Sequence, residues 1–214
     1  MGMNLQNKKV VILGGTSGIG LATARAALAQ GARVFVSSAR EEKVAAAVTA
    51  LGPGADGQVA DLNDAESTSR MFAGIGSFDH LVYTAGESLQ LGELVSTDMN
   101  AVRKAFDVRM FGAMVAVQTA APNIRQGGSI VLTSGTAGAR PMKGWTAVAS
   151  ICGAMEAFTR ALAVELAPLR VNIVSPGLVR TPLWSNVPES DREAMYLHAG
   201  SRLPVGRAGT SLHD

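Results

Sequence analysis

The sequence predicts an α/β fold, a single doubly wound and mostly parallel sheet with helices on both faces. Three observations predict it. Short apolar, β-branched runs alternate with longer segments of helical composition. Each run closes on Gly, Ser or Asp. The runs are apolar throughout rather than alternating, as strands covered on both faces must be. The 214 residues, 47% hydrophobic and 17% charged, suit one domain with a sizeable core.

The elements follow in order. KKVVILGG (8–15) is the first strand, and GGTSGIG opens a helix over about 18–30. ARVFVSS (32–38) is the second strand, followed by a helix over 41–51. GQVAD (57–61) is a weaker strand before a helix at 64–75. DHLVYTAG (79–86) leads to a long helix over 98–121, and GSIVLTSG (128–135) to one over 146–167 that Pro168 stops. LRVNIVSPG (169–177) is the last clear strand. Residues 178–209 hold most of the late Pro, Gly and polar residues and read as a loop-rich lid. There is no linker, repeat or low-complexity tract, so residues 1–214 are read as one dinucleotide-binding domain.

Charge and composition exclude several functions. The net charge is +2 and no basic run exceeds two residues, which argues against nucleic acid despite a pI near 8.9. No stretch of about 18 apolar residues points to a membrane span, and the N-terminal apolar run is short for a signal peptide. One cysteine excludes an internal disulfide and fits a cytoplasmic location. No metal-ligand spacing is present.

Gly14, Gly18 and Gly20 after the first strand carry the clearest chemistry. A tight turn, close backbone approach to a pyrophosphate and close helix–strand packing each call for glycine there. The helix N-terminus then faces the phosphates. Thr16, Ser17 and Ile19 complete the loop.

GGTSGIG (14–20), YTAG (83–86), ELAPLRVNIVSPG (165–177) and Thr181 recur together at the spacing of the short-chain dehydrogenase/reductase family, which the chain resembles over residues 6–210. The resemblance implies a Rossmann-type fold, a nicotinamide dinucleotide and hydride transfer on a small carbonyl or alcohol substrate. It assigns Asp61 and Leu62 to the adenine. It puts Thr84, Ala85 and Gly86, in a turn where the family shows NNAG, beneath the adenosine ribose. Pro176, Gly177 and Thr181 fall to the carboxamide and phosphates. At the end of the second strand stand Ser37, Ser38, Ala39 and Arg40, with no carboxylate before Glu41. An acid there would select NAD by its ribose hydroxyl, whereas hydroxyls and a cation suit the extra phosphate of NADP, so NADP is favoured. The resemblance also implies a homo-oligomer. The family's last helix and strand have no counterpart before residue 214, which weakens that inference.

The family protonates its product with a Tyr, helped by a Lys four residues on, a Ser on the preceding strand and an Asn on the long helix. Aligned on EAFTRALAVELAP (156–168), these four positions hold Val148, Cys152, Gly135 and Arg109. No Tyr-x-x-x-Lys exists in the chain: Tyr83 is followed by Glu87 and Tyr196 by Gly200. Candidate substitutes are few. Cys152 could be an acid or a packed hydrophobe. Arg109 could supply the missing charge or pair with Asp107. Lys143 and His198 could donate protons, and Ser134, Thr136 and Thr146 could orient a ligand. Tyr83 belongs to a strand end, and Trp145 and Trp184 to packing. Substrate contacts are expected from 87–97, 140–146 and the lid. Three readings stay open: an oxidoreductase of unorthodox chemistry, a non-catalytic nucleotide sensor, and a structural subunit.

Overall fold

In a computed structural model, residues 5–89 and 91–211 are described. Six parallel strands form the sheet: β1 (Lys9–Leu13), β2 (Arg33–Ser38), β3 (Ala55–Val59), β4 (Phe78–Tyr83), β5 (Ile124–Thr133) and β6 (Arg170–Val174). Their order is β3-β2-β1-β4-β5-β6, so the strand order reverses between β1 and β4. This is a doubly wound, Rossmann-type sheet, and ligands sit outside the carboxyl ends of the strands at that reversal.

Alternation along β1 sorts the core onto two faces. Val10 and Ile12 pack with Ala24 and Ala27 of α1 (Gly18–Ala29) and Ala47 of α2 (Glu41–Leu51). Val11 and Leu13 join the larger core on the other face. That core draws Met71, Phe72 and Ile75 from α3 (Ala65–Ile75), and Ala113, Ala116 and Val117 from α5 (Gly112–Ala120). Ile151, Met155 and Leu162 come from α6 (Thr146–Glu165). Phe72 and Phe78 stack within it at 5.9 Å between ring centroids.

The amino ends of the strands are held by one charge. Asp79 is buried and accepts from the Lys9 N–H at 2.9 Å, from Lys8 at 3.1 Å and from Arg125 at 3.0 Å. Burial alone would push its carboxyl up. The hydrogen bonds from Lys9, Lys8 and Arg125 outweigh that and hold it below the ordinary range.

Two expectations are corrected. The long helix at 98–121 is present but is not α-helical throughout. α4 (Met99–Phe106) passes into a π-helical turn over Asp107–Phe111 before α5 resumes, and Arg109 sits on that turn. The region 178–209 is not only loop. It contains α7 (Glu189–Ser201), entered at Pro188 with Glu189 and Asp191 in its first turn. Two short strands, β7 (Val179–Arg180) and β8 (Gly209–Thr210), pair in parallel behind it. Arg180 fixes α7 by a two-pronged bond to Glu193, at 2.6 and 2.9 Å, and by lying 4.2 Å over the Tyr196 ring. α6 is the one described helix long and apolar enough to cross a bilayer, yet it packs on β5 and β6 through the residues named above.

Candidate active site

A cleft of about 940 Å³ opens at the carboxyl ends of the strands. That volume lies within the range of cofactor and substrate pockets. Its floor is the turn after β1. Gly14 adopts φ +81, and a Cβ there would stand 2.6 Å from the Ala85 nitrogen. A Cβ on Gly20 would stand 2.3 Å from the Gly14 oxygen. Thr84 closes the junction: its N–H donates to the Leu13 carbonyl at 2.8 Å, and its hydroxyl reaches the Leu13 and Gly14 carbonyls. Ser17 enters α1 without a side-chain cap, so the first N–H groups of α1 remain available to an anion. The loop therefore has the form and donors that a pyrophosphate requires.

Nearly all the residues expected at the cofactor line this cleft: Gly14, Thr16, Ser17, Gly18, Ile19, Gly20, Ser38, Arg40, Asp61, Leu62, Thr84, Ala85, Gly86, Pro176, Gly177 and Thr181. Ser37 is the exception. It is fully buried and its hydroxyl faces the interior, because neighbouring residues of a strand point to opposite faces. Lys43 was missed by the sequence reading. It lines the cleft beside Ser38, Ala39 and Arg40 from the first turn of α2. Four residues separate the end of β2 from Lys43 by way of that turn, which is the signal that could have found it. Across the cleft Asp61 is fixed by accepting from the Asn63 N–H at 2.9 Å.

Arg109, Gly135, Val148 and Cys152 also converge on the cleft. Val148 and Cys152 are 5% and 6% exposed and pack with Ala137. Cys152 is fitted closely: a Cβ on Gly135 would lie 3.3 Å from its sulfur, and one on Gly138 would lie 3.2 Å from its Cβ. Ser134 lines the cleft but donates its hydroxyl to the Cys152 carbonyl at 3.2 Å.

Arg109 does not pair with Asp107 among the described residues. Its guanidinium turns to the end of β4, where it donates to the Glu87 carbonyl and lies against Gly86. Its Nε is buried without a partner. Burial lowers the hold of this guanidinium on its proton, opposed by Cys152, Tyr83 and Glu87 nearby. Arginine stays protonated through such shifts.

The other candidates separate clearly. Tyr83 donates to the Val108 carbonyl, burial pushes its phenol up, and it does not line the cleft. Lys143 is an exposed residue paired with Glu93 at 2.5 Å. Neither Lys143 nor Thr146 lines the cleft, whereas Thr136 does. His198 reaches it from α7, on the same helix face as Met195, Ala199 and Arg202. Trp145 and Trp184 form part of its apolar wall, 6.4 Å apart between centroids, and Trp184 donates to the Val179 carbonyl at 3.0 Å. Among the described residues no group of three or more His, Cys, Asp or Glu could hold a metal.

A doubly wound sheet with a glycine turn at its strand reversal, opening on a cleft of this size, defines a dinucleotide-binding protein. Comparison narrows the class. A family profile described as enoyl-(acyl carrier protein) reductase matches residues 14–213. The short-chain dehydrogenase/reductase fsr5 of Gibberella fujikuroi is 32% identical over 96% of this chain and 84% of its own. A small-chain dehydrogenase solved in complex with NADPH superposes with a TM-score of 0.80 at 34% identity, covering 96% of this chain and 86% of that one. The MalC reductase/Diels-Alderase of Malbranchea aurantiaca superposes with a TM-score of 0.87 at 29% identity, over 97% and 86%. The chain belongs to the short-chain dehydrogenase/reductase family.

Proposed function

We propose that the protein is an NADP(H)-linked oxidoreductase of carbonyl or alcohol groups that works without a Tyr–Lys proton relay. One observation carries the reading. The residues that α6 sends into the cleft are Val148, Ile151, Cys152 and Met155, with no tyrosine or lysine among them, while most residues expected at the cofactor line the same cleft. Bound there, the dihydronicotinamide supplies a hydride. An acceptor carbonyl that receives it becomes an alkoxide and needs a proton. Val148 has none to give, and Tyr83 is committed to a backbone carbonyl. The proton is therefore drawn from water or substrate, or from His198, which lines the cleft from α7. Trp145, Trp184 and Met195 give the acceptor an apolar wall.

The preference for NADP rests on Ser38, Arg40 and Lys43, two cations and a hydroxyl with no carboxylate among them. The relative that carries NADPH supports the same choice. Exposed Val95, Met99, Phe111 and Met114 around α4 and α5 support assembly with further copies of the chain. The rival reading, a non-catalytic nucleotide sensor, is favoured by the same residues of α6. A fluorescence titration with NADPH and NADH side by side comes first. NADPH should bind at least about 10-fold tighter, and Arg40→Ala should erase most of that difference. Equal or absent binding would refute the cofactor assignment. Consumption of NADPH with a carbonyl panel then supports the enzyme, whereas tight binding with no turnover supports the sensor.

A further inference from the structure

We infer that Arg109 is the cation that holds the nicotinamide-side ribose, from a position on the π-helical turn rather than on α6. The inference rests on the dinucleotide reading above. The strand order divides the cleft. The adenosine half lies over β2, with Arg40 and Lys43 at its edge, and the nicotinamide half lies over β4 and β5. Arg109 is assigned to the second half because it lines the cleft together with Gly135, just beyond β5, and with Val148 and Cys152 of α6. Its guanidinium is fixed at the end of β4 by the Glu87 carbonyl and by contact with Gly86.

Three further facts make this a built position. Gly86 leaves the room the guanidinium fills, since a Cβ there would stand 2.6 Å from both Cζ and Nη1 of Arg109. The π turn over Asp107–Phe111 delivers the residue to the cleft between two α-helical segments, and such single-turn insertions often mark functional positions. The guanidinium is also underemployed. Nη2 has its carbonyl, whereas Nη1 has no hydrogen bond among the described residues. That N–H is free to donate, and ribose hydroxyls are acceptors of the right kind. Cys152, the position from which a lysine would extend, lines the same cleft. The charge absent from α6 is thus present in the cleft, brought from a different element.

Titrations of the full chain with NADPH, NADH and adenosine 2′,5′-bisphosphate test this, because the bisphosphate has no nicotinamide-side ribose. Arg109→Met should weaken NADPH and NADH by the same factor, at least about 10-fold, and leave the bisphosphate within about 2-fold. Arg109→Lys, which keeps the charge, should recover part of the loss. In the Arg109→Met background, Cys152→Lys should recover it from the other side. Equal weakening of all three ligands would show structural damage and overturn the inference, as would unchanged dinucleotide binding. Failure of the unmodified chain to bind any of the three would instead overturn the dinucleotide reading, and this inference with it.

Discussion

Gly86→Ala separates the position of the guanidinium from its existence. Ala is compatible with the backbone here, since Gly86 is not among the glycines with positive φ. The new Cβ would stand 2.6 Å from Cζ and Nη1 and 2.8 Å from Nη2 of Arg109. Non-bonded heavy atoms settle at about 3.5–4.0 Å, so the guanidinium must retreat by about 1 Å. That movement breaks its bond to the Glu87 carbonyl. A hydrogen bond to a charged group contributes about 1.5–3 kcal/mol. The displaced end can turn into the cleft and find water, so the net loss of stability should be about 1 kcal/mol, or about 2–4 °C in melting temperature for a chain of this length. Cofactor binding should suffer more. Loss of one charge-assisted contact corresponds to about a 10- to 100-fold rise in the NADPH dissociation constant. Differential scanning fluorimetry and NADPH fluorescence titration measure the two effects on one sample. A melting temperature lowered by more than about 10 °C would mean that the backbone, not Arg109, requires the glycine. An unchanged NADPH affinity would refute the role of the guanidinium outright.

Gly14→Ala should behave in the opposite way, because its Cβ would meet the backbone of Thr84 and Ala85 at φ +81 rather than the end of a flexible side chain. Strain and overlap together should cost about 2–4 kcal/mol, a fall of about 5–15 °C in melting temperature. A fall below about 2 °C would show that the turn gives way easily. Stability should also decline on acidification in two stages. His80 is held below its ordinary value, chiefly by burial, against the pull of Asp79. Its contribution is complete above pH about 6.5 and is lost as pH falls through the lowered value. The contribution of Asp79 is complete above pH about 3.9 and is lost as pH falls through its depressed value. Asp79→Asn should destabilise by about 1–3 kcal/mol at neutral pH, discounted for the half-exposed Lys8 and Arg125, and should flatten the second stage. Urea midpoints measured across pH read both stages, and an unchanged acid limb in the variant would contradict the assignment.

Much of the fold was legible because its signals are local. Continuous apolar runs marked the six strands, and GGTSGIG marked both the turn and the helix that follows. β3 was displaced by two residues, since Ala55 and Asp56 lack the apolar bulk that identifies a strand. α7 carried its own start signals, Pro188 with Glu189 and Asp191, but the glycines and prolines around it hid them. The π turn left no trace in periodicity, because one inserted residue shifts the apolar face without ending it. Spacing carried Gly14, Gly18 and Gly20 of the cofactor rim, and the family resemblance carried most of the rest. Neither placed Ser37, because its position depends on the strand parity that sends Ser38 to the cleft instead. The position of Arg109 was the least legible. It depends on the missing side chain of Gly86, more than twenty residues away, and on a carbonyl that any residue at 87 would offer.

The packing of α6 separates the chemistry of the cleft from the survival of the fold. Val148, Ile151, Cys152, Met155 and Leu162 make one buried stripe. Only the first turns of that stripe reach the cleft, while the rest of the helix is anchored against β5 and β6. The helix therefore stands whether or not positions 148 and 152 carry a reactive group. A molecule built this way can change what it does at two side chains, provided they fit beside Gly135 and Gly138, while the rest of the helix keeps its anchorage.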